Sequence, residues 1–117
     1  MEEMVKDRVR LRIVPLRKFY LILTVRGIDF VEEWYKSNEH IPPSLTKLYQ
    51  LLLRTATLEG IINVWIATKL GFSADVINRA VSNRYLVLSS TPRKPDEIVL
   101  KRIKNMFSRP RREIYIF

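Results

Sequence analysis

The chain has 117 residues, a length typical of one domain and too short for a multi-domain enzyme. It contains 21 lysines and arginines against 12 aspartates and glutamates, and a formal charge of +9 suits an acidic partner such as nucleic acid, an anionic membrane surface or an acidic protein. The absence of cysteine excludes disulfides and thiolate metal sites, and the single histidine, His40, supplies too few ligands for a zinc site.

The sequence also bears on the location of the protein. It has no run of about eighteen uncharged apolar residues, which is the length that a membrane-spanning helix needs. Its start carries Glu2 and Glu3, unlike the basic start of a secretory signal. We therefore expect a cytoplasmic protein without a membrane segment.

The N-terminal region, residues 1–36, contains a stretch in which charged and apolar residues alternate. Residues 8–14 place arginines on one side and apolar residues on the other, which is the period-two pattern of a half-buried strand. The arginines are Arg8, Arg10 and Arg12. Two interpretations stay open for these arginines. In one they keep the edge of a sheet from pairing with other chains, and in the other they form a basic ribbon that contacts successive phosphates of a nucleic acid.

A second strand and a helix are predicted next. Residues 18–25 are rich in aromatic and branched side chains, which favour strands. Residues 24–34 then change to helical spacing. The apolar stripe of this helix consists of Ile28, Val31 and either Trp34 or Tyr35.

The middle of the chain is predicted to be helical. Residues 36–44 are polar and contain two prolines, so they form the clearest loop, with His40 in it. Ser44 can cap the following helix, whose leucines recur at three- and four-residue spacing. Residues 55–60 form its exit turn.

Residues 61–84 have the spacing of two helices joined by a tight turn. Gly71 supplies the left-handed conformation that ends the first helix, and Ser73 caps the second. Ala67 is small enough for the helices to cross closely. Ile77 is placed to fill the space beneath the crossing, while Leu70 and Phe72 are expected to close the hinge.

This stretch resembles the helix-turn-helix of winged-helix transcription regulators of bacteria and archaea. The resemblance is carried by Ala67, Leu70, Gly71, Ser73, Ile77, Asn78 and Arg79. In that family the second helix enters the major groove of DNA. The resemblance implies that the residues facing base edges are Ser73, Ala74, Asp75, Asn78 and Arg79. Asp75 does not fit this pattern, because its carboxylate would repel phosphate unless it accepts a hydrogen bond from a cytosine amine or holds a neighbouring arginine in place.

A wing strand is expected over residues 85–90, with residues 91–95 as the wing tip. Arg84 precedes it as a basic flank, and Arg93 and Lys94 between two prolines form a stiff basic loop. That loop either contacts the DNA backbone or is simply solvated. An ordinary wing would then return as a strand.

The sequence instead predicts a helix after the basic loop. Asp96 can cap it, with Ile98, Val99, Ile103, Met106 and Phe107 on its apolar side and Lys101, Arg102 and Lys104 exposed. Residues 114–117 form an apolar terminal strand. We expect this strand to pair with the N-terminal strands, in this chain or in a partner; a short docking motif is the alternative.

No catalytic constellation is visible. Three glycines make no phosphate-binding loop, and one histidine makes no catalytic triad. The adjacent acids Glu32 and Glu33, like Asp96 and Glu97, point to different helix faces and are assigned to solvation and capping. Trp65 is assigned to core packing rather than to base stacking. We predict no enzyme activity, no cofactor and no metal.

The sequence thus predicts a single α+β domain, mostly helical and winged-helix-like, with a small sheet formed by the chain ends. Its parts are N-terminal strands and helix (1–36), a helix-turn-helix core with a wing (44–95), and a C-terminal helix and strand (96–117). The predicted function is sequence-specific binding of double-stranded DNA as a transcriptional regulator, as a homodimer and without an evident small-molecule effector. The alternative is a basic interaction subunit of a replication, transcription or ribonucleoprotein complex.

Overall fold

The computed structural model describes residues 4–5, 8–9, 16–37 and 40–108. The strands are β1 (Met4–Val5), β2 (Arg8–Val9), β3 (Tyr20–Leu23), β4 (Ile61–Asn63) and β5 (Leu86–Ser89). The helices are α1 (Val25–Lys36), α2 (Pro43–Thr57), α3 (Val64–Lys69), α4 (Ala74–Ser82) and α5 (Glu97–Ser108), and a 3-10 turn covers Leu16–Lys18. The predicted α+β, mostly helical class is confirmed.

Polar side chains fix the starts of three helices. The oxygen of Thr24 accepts from the backbone N–H of Gly27, and that of Ser73 from Val76. Asn63 accepts from two N–H groups at the start of α3. These bonds satisfy donors that have no partner within the helix. The predicted cap of α2 at Ser44 is wrong, because the helix starts one residue earlier at a proline whose missing N–H is harmless there.

The central sheet has the order β4–β3–β5, and β3 runs antiparallel to both neighbours. Tyr20 is opposite Asn63 on one side and Ser89 on the other. The prediction that the chain ends form the sheet is confirmed for β3, which comes from the N-terminal region, and wrong for β4 and β5, which come from the interior of the sequence. The predicted terminal strand, residues 114–117, lies outside the described residues.

Burial explains why β3 has consecutive apolar residues. Leu21, Ile22 and Leu23 are all buried. Successive strand residues point to opposite faces, so both faces of this strand are covered. The core then extends through the buried residues Ile28 of α1, Leu48, Leu51 and Leu52 of α2, Ile77 of α4, and Val99 of α5.

Helix α5 packs against α1. The guanidinium of Arg102 donates to the carboxylates of Asp29 and Glu32, which raises the pKa of Arg102, mainly through the hydrogen bond to Glu32. The rings of Tyr35 and Phe107 meet edge to face with their centroids 5.7 Å apart. Arg102 was expected to be exposed and Glu32 merely solvated, and both expectations are wrong because the two side chains join these helices.

The apolar side predicted for α5 is only partly buried. Val99, Ile103 and Met106 are buried as expected. Ile98 is 54% exposed, and Phe107 keeps 38% of its surface exposed despite its contact with Tyr35. The packed side of α5 is therefore narrower than the sequence pattern suggests.

The segment after β5 does not form a wing. Residues 90–96 contain no strand, and they lead from β5 to the opposite edge of the sheet, where Pro95 is buried beside Gly60. The position next to β5, which a returning wing strand would take, is occupied by β3. The predicted wing tip at residues 91–95 is therefore wrong.

Candidate nucleic-acid interface

The turn between α3 and α4 has the predicted geometry. Gly71 has φ +99°, the left-handed region in which glycine is favoured, and no heavy atom lies within 4 Å of a Cβ placed on it. The N–H of Gly71 donates to the carbonyl of Thr68, and that of Phe72 to the carbonyl of Ala67. These bonds end α3 before Ser73 starts α4. The pivot and cap predicted from the sequence are both confirmed.

The burial expected for the two residues at the predicted helix crossing is confirmed. Ala67 and Ile77 are fully buried, as the spacing predicted. Leu70 does not close the hinge, because it is 45% exposed. It instead lines a groove of about 450 Å³ together with Leu53 and Phe72.

The predicted base-facing residues start at the turn itself. The hydroxyl of Ser73 is engaged as a cap, 3.3 Å from the nitrogen of Val76. Ala74 and Asn78 are half-buried, whereas Asp75 and Arg79 are exposed. Asp75 lies in the first turn of α4, where a carboxylate stabilises the positive end of the helix. Exposed groups on α4 thus carry charges of both signs.

Arg79 makes a specific contact with another helix. Its Nη1 donates to the backbone carbonyl oxygen of Ser44 at the start of α2, 3.1 Å away. A guanidinium has five N–H donors, so this bond leaves others for a ligand. The side chain is therefore positioned by its contact with α2.

The N-terminal hairpin borders the same helix. Strands β1 and β2 pair antiparallel, with Met4 opposite Val9. Strand β2 lies beside α4. The arginine-bearing stretch that starts at Arg8 therefore begins next to α4. Residues 10–15, which contain the other two arginines of the predicted ribbon, lie outside the described residues.

The three predicted phosphate contacts lie in two different places. Arg84 is exposed and has φ +62°, and its carbonyl accepts from the hydroxyl of Thr24, 2.6 Å away. Arg93 and Lys94 are exposed beside β4, where they line a cavity of about 290 Å³ with Glu59 and Ile61. The two basic residues of the loop are thus at the sheet edge opposite β5.

Sequence reasoning missed a cluster of cations on Trp65. The guanidinium carbon of Arg17 lies 4.7 Å from the centroid of the indole ring, and the Nζ of Lys69 lies 5.4 Å from it. The side-chain amide of Asn63 donates to the carbonyl of Arg17, 2.9 Å away. The spacing of four residues between Trp65 and Lys69 on one helix was a usable signal. The approach of Arg17 to the ring depends on the fold, so the sequence contained no signal for it.

The described residues leave most of the positive charge exposed. Within residues 16–37 and 40–108, Arg102 is the only cation that forms an ion pair with a described carboxylate. The same ranges contain no cluster of three potential metal ligands. None of their helices is long and apolar enough to cross a bilayer.

Comparison of the chain with models of protein families, with curated proteins and with solved structures finds no match. Function is therefore inferred from geometry and charge.

Proposed function

We propose that this protein binds double-stranded DNA, with α4 entering the major groove, and acts as a transcriptional regulator. The observation that carries the proposal is the α3–α4 unit, in which Gly71 turns the chain and Ser73 starts a helix whose exposed side includes Arg79. In DNA-binding units of this kind, the second helix reads base edges and the first crosses the backbone. The charge of +9 supports a polyanionic ligand.

The proposed variant of the winged-helix domain has no hairpin wing. Helix α2, the α3–α4 unit and strand β5 follow one another in the order predicted from the sequence, and strand β4 precedes α3. Strand β3 supplies the third strand from the N-terminal side instead of returning after β5. Any backbone contact at that end of the sheet then comes from the segments next to Tyr20 and Ser89.

A salt titration tests the proposal. Affinity for a random duplex of about 30 base pairs should fall roughly a thousandfold between 50 and 200 mM salt if about six phosphates are contacted. A duplex from the region upstream of the protein's own gene should then outcompete an excess of random DNA. A flat salt response, or no binding at 50 mM, contradicts the proposal.

A protein-binding role is the second candidate, and one observation favours it. Ile66 on α3 and Leu70, the residue that caps the end of α3, are four residues apart, and each is 45% exposed. Residues at this spacing share one side of a helix, so they form an apolar patch on the helix-turn-helix unit. The double variant Ile66→Ser, Leu70→Ser tests this candidate. If the protein is an interaction subunit, the variant should no longer bind its partner; if it binds DNA, the variant should keep its affinity for duplex DNA.

A further inference from the structure

The indole of Trp65 holds two cations from distant parts of the sequence. Arg17 comes from the 3-10 turn before β3, and Lys69 comes from the last turn of α3. Both charged groups lie close to the same ring centroid, at 4.7 and 5.4 Å, so they are at most about 10 Å apart. Cation–π attraction restricts where both side chains can point.

The attraction to the ring does not use the hydrogen-bonding capacity of these cations, and neither side chain donates a hydrogen bond to another described residue. A ring face attracts a cation without accepting the N–H bonds that a guanidinium or an ammonium directs at oxygen. Within the described part of the chain, neither Arg17 nor Lys69 pairs with a carboxylate. Two neighbouring cations repel each other, and an anion bound to both removes that repulsion.

We propose that Arg17 and Lys69 form a clamp for the phosphate backbone of duplex DNA and that Trp65 is the residue that positions them. This inference rests on the proposed DNA binding. It assigns the backbone contact to the start of β3 and to α3, the helix that crosses the backbone when its partner helix enters the groove. A strand rises about 3.4 Å of axis per nucleotide while winding around that axis, so two cations at most about 10 Å apart can reach two neighbouring phosphates.

The backbone of Arg17 is held as well as its side chain. The amide of Asn63 donates to the Arg17 carbonyl while the amide oxygen of Asn63 caps α3 at the nitrogens of Trp65 and Ile66. One side chain therefore connects the segment before β3 to the helix that carries Trp65 and Lys69. The two cations move with the helix-turn-helix unit and not independently of it.

Substitution of each cation tests the clamp. With a random duplex, Arg17→Ala and Lys69→Ala should each lower the slope of log affinity against log salt by about 0.9, and the double variant by about 1.8. Matched controls are Lys36→Ala on α1 and Lys104→Ala on α5, which remove an exposed cation from helices other than α3 and α4. Both controls should keep the slope of the unmodified protein.

Substitution of the ring tests the positioning role. Trp65→Leu keeps both cations but should weaken binding about two- to fivefold, since the orienting attraction is lost, and Trp65→Phe should recover part of the loss. Circular dichroism verifies that each variant is folded. If Trp65→Leu does not fold, the two cation variants still test the clamp. In a Trp34→Phe background, the emission of Trp65 should change when duplex DNA is added.

The outcomes separate the two proposals. If the unmodified protein fails to bind duplex DNA at low salt, the DNA-binding function and the clamp are both overturned. If it binds with a steep salt dependence and Arg17→Ala and Lys69→Ala keep the slope of the controls, the clamp alone is overturned.

Discussion

Arg79 donates a hydrogen bond to the carbonyl oxygen of Ser44 and so connects the middle of α4 to the first turn of α2. A long, flexible side chain is thereby restricted in the free protein, which would reduce the conformational entropy lost in the base contact proposed for it. The contact also gives Arg79 a part in stability. Its replacement should therefore affect folding and recognition separately.

We expect Arg79→Ala to lower the free energy of unfolding by about 1 kcal/mol and to remove discrimination of about 1–3 kcal/mol between cognate and random duplexes. Arg93→Ala is the control: this residue lies beside β4, and if it contacts DNA only through the backbone, its loss should weaken binding to all sequences alike. Competition binding with the two duplexes measures both effects. Unchanged preference in Arg79→Ala would show that this side chain does not read bases.

Asp75 tests whether α4 faces phosphate. It is exposed in the first turn of α4, so Asp75→Asn should raise the affinity for a random duplex roughly threefold by removing repulsion across about 7 Å of water. Glu97→Gln in the first turn of α5 is the matched control and should leave affinity unchanged. If the two variants bind equally, α4 does not lie at the DNA.

The left-handed backbone of Arg84 separates stability from binding. Its φ is +62°, which is unfavourable for a residue with a Cβ, so Arg84→Gly should raise stability by up to about 1 kcal/mol. The same substitution should lower the salt slope by about 0.9 if Arg84 contacts phosphate. Glu59→Gly, at φ +64°, should raise stability similarly without weakening DNA binding. Thermal unfolding and salt titration of both variants test this.

Two glycines are required for different reasons. A Cβ on Gly27 would lie 2.2 Å from the carbonyl oxygen of Tyr85, so Gly27→Ala should destabilise the fold by about 1–3 kcal/mol through a clash. Gly71 has open space, and Gly71→Ala should cost about 1–2 kcal/mol through its backbone alone. Gly71→Asn should recover part of that loss, because asparagine tolerates the left-handed region. Urea unfolding that finds no recovery would contradict the backbone explanation.

We propose a homodimer held by the terminal segment. The apolar stripe on α1 was a candidate for part of the interface, but Ile28 and Val31 are fully buried within one chain. The intact protein should therefore have twice the monomer mass of 13.9 kDa by light scattering, and a chain ending at Arg112 should be monomeric. A monomer of the intact chain at micromolar concentration would refute the dimer, and a dimer after truncation would place the interface elsewhere.

The elements with a strong local signal were predictable. The start of α4 follows from Ser73, because capping depends on neighbours in sequence, and helical spacing located the start of α1 to within one residue. The sequence predicted strand β4 as part of the following helix, since three residues are too few to show the period of a strand or a helix in their hydrophobic pattern. The stacking of Arg17 on Trp65 depends on how β3 and β4 pair. Such long-range relationships have no signature in the sequence pattern of a single chain.

The central place of β3 also bears on synthesis of the protein by the ribosome. Leu21, Ile22 and Leu23 emerge before either neighbouring strand, and β5 follows only after α4 has been made. A nascent chain therefore carries an apolar segment with unpaired backbone on both sides while most of the domain is still being translated. Early binding by a chaperone, or a temporary non-native pairing with the hairpin that precedes it, would protect this segment until β5 arrives.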